Sequence, residues 1–191
     1  MSNIIRTTTQ LAMHIVREYT FAGSVLIDAT CGNGYDTLVL AKTKPSKLYA
    51  FDIQQEALKN TRLKLIGAGF EEKLSDGTIS IICASHSLMA DYVHEKADAI
   101  VFNLGYLPGS DKAISTNTDE TILAVGAAIE LLAKDGIICI TMYSGHEEGQ
   151  REKEALIQFA KGLDQRLYHA AYIDFINQPN HPPDILLIAK K

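Results

Sequence analysis

The segment Val25–Thr37, VLIDATCGNGYDT, indicates the fold class of this chain. It starts with three apolar residues, two of them β-branched, which predict a short buried strand that ends at Asp28. Gly32 and Gly34 then predict a tight turn, and the residues that follow continue at helical spacing to Lys42. The expected buried residues of that helix are Tyr35, Leu38, Val39 and Ala41. A strand, a glycine turn and a helix open a doubly wound α/β unit, which binds its ligand at the carboxyl ends of the strands.

The acidic residue before this turn separates two classes of nucleotide-binding domain. A dinucleotide fingerprint reads G-x-G-x-x-G, and Thr37 stands where its third glycine would be. A carboxylate that faced a pyrophosphate would be repelled, whereas Asp28 would attract an ammonium or a sulfonium group. The pattern resembles motif I of the class I S-adenosylmethionine (SAM) methyltransferases, in which an acidic residue precedes G-x-G. The alternatives are a nicotinamide-binding Rossmann domain and an α/β fold without a ligand.

A second acidic residue follows at the end of the next predicted strand, residues 48–52. Asp52 ends this strand, where a carboxylate accepts hydrogen bonds from both ribose hydroxyls. The third strand, residues 78–83, leads to Ser85 and His86, where such folds present a polar group to the adenine. A histidine of a surface loop is an equally good interpretation of His86. The residues expected to contact SAM are Asp28, Thr30, Cys31, Gly32, Asn33, Gly34, Asp36, Thr37, Asp52, Ile53, Ser85, His86 and Asn103.

Length and composition are those of one ordinary globular domain. The chain has 191 residues, of which 47% are hydrophobic and 21% are charged. No stretch approaches the ~20 apolar residues that span a bilayer, and the N-terminus shows no signal peptide, so we expect a cytoplasmic protein without a membrane partner. The net charge of −5 argues against a large nucleic-acid footprint, although it leaves room for a local basic patch.

The cysteines and histidines give no sign of a metal site. Cys31, Cys83 and Cys139 are far apart in the sequence, which fits free thiols in a reducing compartment. None of them has zinc-binding spacing, and the six histidines form no HxxxH or HExxH pattern. A structural or catalytic metal is therefore not expected.

The rest of the chain alternates between helices and strands. Helices are predicted at residues 7–20, 54–65, 118–133 and 152–163, and further strands at residues 97–102, 136–142, 167–176 and 184–189. We therefore expect a single-domain, Rossmann-like α/β methyltransferase fold over residues 1–191, with residues 1–23 as an N-terminal helical extension. The seven-stranded sheet should be mostly parallel, with helices on both faces. Because two strands close the chain without an intervening helix, the last strand should be antiparallel.

A second motif follows the fourth strand. Asn103-Leu104-Gly105-Tyr106 is similar to the (Asn/Asp)-Pro-Pro-(Tyr/Phe) motif of the amino-group methyltransferases. In that motif the Asn side chain accepts a hydrogen bond from the target NH₂, and the aromatic ring stacks on the target base. This chain has Leu-Gly in place of Pro-Pro. The alternative for Tyr106 is a tyrosine that packs a loop.

Four segments together resemble one bacterial family, labelled "putative rRNA methylase". They are residues 28–34, DATCGNG; residues 102–109, FNLGYLPG; residues 143–146, YSGH; and residues 175–178, FINQ, followed by Pro182-Pro183. The better-defined members of the family resemble tRNA wobble-uridine methyltransferases, which turn 5-aminomethyl-2-thiouridine into 5-methylaminomethyl-2-thiouridine. Ser110-Asp111 and Glu147-Glu148-Gly149 depart from the family pattern, which has Gly-Gly-Asp and Pro-Gly-Gly there.

This resemblance implies an amine target in the tRNA anticodon loop. An alkylamine has a pKa of about 10, so it arrives protonated, and the site must favour the neutral amine or supply a proton acceptor. The candidate catalytic residues are Asn103, Tyr106, Tyr143 and His146. Methylation of rRNA or of a small amine is an alternative, and so is a regulatory module that binds SAM without catalysis. The oligomeric state is left open, and a homodimer is compatible with the sequence.

Overall fold

A seven-stranded sheet organises the structure, a computed structural model that describes residues 6–105, 117–145, 147–179 and 182–191. Its strands are β1 (Val25–Asp28), β2 (Lys47–Asp52), β3 (Ile79–Cys83), β4 (Ala97–Leu104), β5 (Leu132–Met142), β6 (Tyr168–Ile173) and β7 (Asp184–Lys190). They lie in the order β3-β2-β1-β4-β5-β7-β6. The pairs among β1 to β5 are parallel, and β7 is antiparallel to both β5 and β6. The predicted α/β fold with its antiparallel last strand is confirmed.

Helices cover both faces of this sheet. They are α1 (Thr8–Glu18), α2 (Tyr35–Ala41), α3 (Gln55–Gly67), α4 (Glu71–Ser75), α5 (Met89–Tyr92), α6 (Thr118–Leu131) and α7 (Glu147–Lys161), and a 3₁₀ turn spans His86–Leu88. Among the described residues, side chains cap α1 and α6: the Thr7 hydroxyl accepts from the Gln10 N–H, and the Asn117 side chain accepts from the Asp119 N–H. Both caps satisfy N–H groups that a helix start leaves without an intrahelical partner.

The core forms two layers, one on each face of the sheet. Alternate strand residues supply each layer, because successive side chains in a strand point to opposite faces. One layer joins α6 and α7 to the sheet, with members such as Ile27, Phe51, Ile100, Phe102, Ala124, Val125 and Leu156. The other joins α1, α2 and α3 to the sheet, with members such as Val16, Leu26, Leu40, Leu48, Leu65, Val101 and Cys139. These two layers hold the carboxyl ends of β1 to β5 in place around the site.

Several element boundaries differ from the sequence prediction. The helix predicted at residues 152–163 begins five residues earlier, at Glu147. The strand predicted at residues 136–142 begins at Leu132, and the one predicted at residues 167–176 is confined to Tyr168–Ile173. The short α4 and α5 were not predicted, because helices of four or five residues carry too little periodicity to stand out.

Tyr35 is a correction to the predicted core. Its side chain is 69% exposed, whereas the buried residues of α2 are Thr37, Leu40 and, as predicted, Ala41. Tyr35 is the first residue of the helix, and helical spacing alone did not reveal that this first turn lies at the mouth of a cavity.

Among the described residues, no helix is long and apolar enough to cross a membrane.

Candidate functional site

A cavity of about 550 Å³ lies where the carboxyl ends of β1 to β5 meet. That volume lies within the range of small-molecule and cofactor sites. The predicted site residues on its wall are Thr30, Cys31, Gly32, Asn33, Asp36, Asp52, Ile53, Ser85, His86, Asn103 and Tyr143. The predicted residues Asp28, Gly34 and Thr37 do not line it. Tyr106 and His146 lie outside the described residues.

Asp28 does not line the cavity, although its charge was expected to attract a ligand there. The side chain is fully buried behind the cavity wall. The Thr37 hydroxyl donates to its Oδ2 at 2.5 Å, and the Thr30 N–H donates to its Oδ1 at 3.3 Å. Burial raises the pKa of Asp28 to about 7, and the nearby charge of Asp36 acts in the same direction. Asp28 and Thr37 therefore fasten the start of the turn to the start of α2.

The turn from Cys31 to Gly34 is held from outside by α3. The Gly34 N–H donates to the Cys31 carbonyl at 2.7 Å, which closes the turn. Thr61 of α3 donates its hydroxyl to the Gly32 carbonyl at 2.9 Å, and Asn60 donates to the Asn33 side chain at 3.0 Å. A Cβ on Gly34 would lie 2.7 Å from the Thr61 hydroxyl oxygen, and the Gly34 φ is +73°. Only glycine fits this position, although it does not touch the cavity.

Asp52 connects this turn to the end of β2. Its Oδ2 accepts from the Gly32 N–H at 3.0 Å, and its Oδ1 accepts from the Gln54 N–H at 2.9 Å. A carboxylate oxygen can accept more than one hydrogen bond, so both oxygens keep capacity for a ligand. The side chain is thus fixed in direction on the cavity wall, where a pair of hydroxyl groups would find two acceptors side by side.

His86 places a buried polar atom at the cavity wall. Its ring stands edge-to-face on Phe102, with centroids 5.9 Å apart, and its Nε2 is buried without a partner in the described part of the chain. Burial lowers the pKa of His86, against the opposing charges of Glu120 and Asp52, so the imidazole is neutral at pH 7. The surface-loop interpretation is wrong, because the ring is half-buried in the cavity wall. A buried polar atom of this kind normally has a partner.

Asn103 lies at the end of β4 and is held by two bonds. Its backbone N–H donates to the Thr30 hydroxyl at 2.7 Å, and its side-chain Nδ2 donates to Asp36 Oδ2 at 2.7 Å. A carboxylate only accepts, so this bond fixes which end of the amide is NH₂ and leaves the amide oxygen as an acceptor. Burial raises the pKa of Asp36, and the hydrogen bond from the Asn103 NH₂ offsets part of this rise.

Tyr143 follows β5 directly and lies beside the end of β4. Its N–H donates to the Leu104 carbonyl at 3.2 Å, and its side chain is 42% exposed. Gly105 has a φ of +152°, and a Cβ there would come within 3.3 Å of the Tyr143 Cβ. Asn103, Asp36 and Tyr143 thus line the same cavity. For Asn103 and Tyr143, the position at or after a strand end had predicted this.

Sequence reasoning missed eight residues of the cavity wall: Thr9, Ala29, Tyr35, Gln54, Ala84, Gly105, Asn117 and Glu120. Ala29, Ala84 and Gly105 follow strand ends directly, and Gln54 is the second residue after β2; these positions were the signal that could have found them. Thr9, Asn117 and Glu120 belong to the first turns of α1 and α6, which only the tertiary packing brings to the cavity.

Among the described residues, no group of three His, Cys, Asp or Glu side chains could hold a metal ion.

Comparisons with known proteins give a matching family model and a similar curated protein. Residues 48–189 match the family model described as "Putative rRNA methylase". The chain is 34% identical to an Arabidopsis thaliana protein named "tRNA (mnm(5)s(2)U34)-methyltransferase, chloroplastic", over 97% of this chain and 70% of that protein.

Two solved structures are similar over nearly their whole length. A "putative rRNA-methylase" from Clostridium thermocellum is 37% identical, with a TM-score of 0.90 over 98% of this chain and 99% of that one. A "putative methyltransferase" from Streptococcus mutans, in complex with SAH, is 34% identical, with a TM-score of 0.86 over the same shares.

Proposed function

Since this chain belongs to the "Putative rRNA methylase" family and is a SAM-dependent methyltransferase, we propose that it methylates an RNA amine. The proposed substrate is 5-aminomethyl-2-thiouridine at wobble position 34 of tRNA, and the product is the 5-methylaminomethyl nucleoside. The observation that carries this proposal is the arrangement of Asn103, whose amide oxygen remains an acceptor on the cavity wall while its NH₂ is bonded to Asp36. An acceptor of this kind suits a target that brings N–H groups.

The cavity fits SAM. Asp52 offers two acceptor oxygens in a fixed direction for the ribose hydroxyls, and the exposed apolar Ile53 follows it on the wall. The unpartnered His86 Nε2, together with Ser85, suits the polar edge of adenine. The backbone from Thr30 to Asn33 would carry the remainder of the ligand. When bound, SAM supplies an electrophilic methyl group on a positively charged sulfur. Asp28, Gly34 and Thr37 support this site from behind.

Asn103 would orient the nucleophile. By accepting one N–H of the amine, its amide oxygen leaves the nitrogen lone pair directed along one line, which an in-line displacement requires. Tyr143 lines the same cavity and would limit access of water to it. Tyr106, as a stacking surface for the target base, and His146, as a proton acceptor, stay predictions from the sequence.

An exposed aromatic ring at the mouth supports RNA as the partner. Tyr35 lines the cavity and is 69% exposed, and the Lys64 Nζ lies 3.5 Å from its ring centroid. Aromatic faces stack on unpaired bases, and cations contact phosphates. The wobble base is unpaired in free tRNA, so it can enter a pocket at low cost. A small free amine would need no such exposed ring, whereas rRNA would; rRNA is therefore the second candidate, in line with the family description.

Two substitutions test the assignments against each other. Asp52→Ala should weaken SAM binding by about 1.5–3 kcal/mol, because it removes hydrogen bonds to a charged group. Asn103→Ala should leave SAM affinity nearly unchanged but lower turnover about 10²-fold, because a nucleophile misplaced by ~1 Å reacts that much more slowly. Calorimetry measures the first quantity, and methyl transfer to tRNA that carries aminomethyl-uridine measures the second, with nucleoside mass spectrometry of the product.

When turnover is measured at saturating SAM, each variant serves as the control for the other, since each should then affect one quantity only. Equal effects of both variants on SAM affinity would contradict the separation of the cofactor from the amine. Methylation of rRNA without any methylation of the tRNA would favour the second candidate. SAM binding without turnover on any RNA would favour a regulatory module.

A further inference from the structure

In the function proposed above, Asp36 only fixes the amide of Asn103, although it is itself a half-buried carboxylate on the cavity wall. We propose that Asp36 is a catalytic residue that binds the target amine as an ammonium ion and accepts its proton before methyl transfer. This inference rests on the proposed function, because it requires an alkylamine as the target.

Two hydrogen-bond acceptors from different elements, the Asp36 carboxylate and the Asn103 amide oxygen, belong to side chains that contact each other. Asp36 comes from the first turn of α2 and Asn103 from the end of β4, and the bond between Asp36 Oδ2 and Asn103 Nδ2 is 2.7 Å long. This bond uses only part of the capacity of the carboxylate, and the amide oxygen of Asn103 remains available as well. Two adjacent acceptors match a group with three N–H donors. A ring nitrogen or a hydroxyl offers at most one hydrogen and would leave an acceptor unsatisfied.

The charges around Asp36 favour a cation. Of the described residues on the cavity wall, Asp36, Asp52 and Glu120 are acidic and none is Lys or Arg. The charge of Asp36 also acts on two titratable groups behind the wall, Asp28 on β1 and Cys139 on β5. The other titratable groups of the described wall are Cys31, Tyr35, Tyr143 and the neutral His86, and Lys64 lies outside on the Tyr35 ring. An ammonium ion would thus enter a site of negative potential.

Burial makes Asp36 a better base than a surface carboxylate, since it raises the pKa of this side chain. The sulfonium of bound SAM would have the opposite effect on the amine, because a like charge disfavours the ammonium form. Both effects move the proton from nitrogen to oxygen. A carboxylate that was exposed and fully ionised would instead hold the proton on the amine.

The step balances in two stages. First, R–NH₃⁺ and the Asp36 carboxylate become R–NH₂ and the neutral carboxylic acid. Second, the nitrogen lone pair forms a C–N bond to the methyl carbon while the C–S bond breaks and its electron pair stays on sulfur. The product leaves as R–NH₂⁺–CH₃, and Asp36 then releases its proton to solvent. One methyl group is transferred and one proton is released per turnover.

Asp36→Asn is the variant that tests this proposal. The Asn side chain keeps the shape and can still accept from Asn103 Nδ2, but it cannot take a proton. Turnover at saturating SAM and pH 7 should fall at least about 10²-fold, the usual range for a lost general base. The variant's rate should then rise about tenfold per pH unit up to the pKa of the free amine, so that its deficit shrinks towards pH 10. The wild type should level off at lower pH. Asp91→Asn, an exposed Asp on α5, is the matched control and should behave as the wild type.

A binding measurement gives a second readout that does not depend on turnover. In the presence of SAH, the wild type should bind an anticodon stem-loop with aminomethyl-uridine about tenfold more tightly than one with unmodified uridine, and Asp36→Asn should lose this preference. If Asp36→Asn does not fold, Asp36→Ala with added formate replaces it. Formate should then restore part of the turnover, because it brings back a carboxylate.

The outcomes separate this inference from the proposed function. A wild-type pH profile and a wild-type preference in Asp36→Asn would overturn the role of Asp36 alone. Weaker SAM binding with unchanged turnover at saturating SAM would do so as well, since it would assign Asp36 to the ammonium group of SAM. If the wild type neither methylates nor prefers the aminomethyl RNA, the proposed substrate fails and this inference fails with it.

Discussion

Asp28 shows how a single side chain can make stability depend on pH. Its pKa is raised by burial from 3.8 to about 7, so between these values the native state binds a proton that the unfolded state has released. The free energy of unfolding should therefore fall as pH rises through this window and level off above it. Asp28→Asn removes the titration while keeping groups that can bond to the Thr30 N–H and the Thr37 hydroxyl.

Relative to Asp28→Asn, the wild type should lose up to about 4 kcal/mol of stability between pH 4 and pH 8, at about 1.4 kcal/mol per pKa unit. Urea unfolding at several pH values measures this difference, with Asp91→Asn as an exposed control. Parallel stability curves for the wild type and Asp28→Asn would show that the carboxyl is not held protonated in the fold.

The sequence predicted some residues of the site better than others, for a physical reason. Asp52 and Asn103 lie at the ends of strands, and the carboxyl ends of parallel strands meet at one edge of the sheet. Asp28 also ends a strand, yet its side chain points behind the wall, because its acceptors are satisfied by Thr37 and Thr30. The direction of a side chain depends on such tertiary partners, and one sequence does not contain them.

At the scale of the element, the turn between β1 and α2 depends on one glycine. Gly34→Ala would place a Cβ 2.7 Å from the Thr61 hydroxyl oxygen and 2.8 Å from the Thr61 Cα, in a left-handed backbone conformation. Because the second contact is with backbone, repacking of side chains cannot relieve it. We expect the free energy of unfolding to fall by about 2–5 kcal/mol, the sum of backbone strain and overpacking.

Gly23→Ala is the matched control for this substitution. Gly23 also has a positive φ, +101°, but a Cβ there meets nothing within 4 Å. The free energy of unfolding of Gly23→Ala should fall only by the cost of the left-handed backbone conformation, about 1–2 kcal/mol. Thermal unfolding measures both variants, and SAM calorimetry shows whether the turn keeps its shape. Similar losses in both variants would mean that α3 yields to the extra carbon.

Helix and strand types were easier to predict than their limits. The stripe of Ala57, Leu58, Thr61 and Leu65 is buried as its helical spacing predicted. The start of α7 was missed because Glu147 to Arg151 is almost entirely polar, so periodicity became visible only from Glu152 onward. Polar first turns are common in helices, but hydrophobic spacing cannot detect them.

At the scale of the whole molecule, α1 contributes to the core. Ala12, Met13 and Val16 are buried against the same layer as Ile137 on β5 and Ile185 on β7. Val16→Ala should lower the free energy of unfolding by about 2 kcal/mol, from the two lost carbon atoms and the cavity they leave.

Phe21→Ala, which truncates a side chain that is 60% exposed, is the control and should cost about 0.5 kcal/mol or less. Urea unfolding with a single transition measures both variants. If Val16→Ala proved as mild as the control, α1 would not be part of the cooperative unit in solution.

The topology could be predicted because the order of elements restricts it strongly. Regular alternation of strands and helices indicates a parallel sheet, and two final strands without a helix between them indicate an antiparallel partner. The cavity wall was harder, because α1 and α6 reach it from positions far from the glycine turn in the sequence.

The aromatic residues of the cavity have a practical consequence for spectroscopy. The chain has eight Tyr and no Trp, so its intrinsic ultraviolet emission comes from tyrosine alone. Two of these emitters, Tyr35 and Tyr143, line the cavity and are partly open to solvent. A purine or pyrimidine ring that arrives beside them would quench their fluorescence. Occupancy of the site can therefore be followed in solution without a label, and Tyr35→Leu would show how much of the signal comes from the mouth.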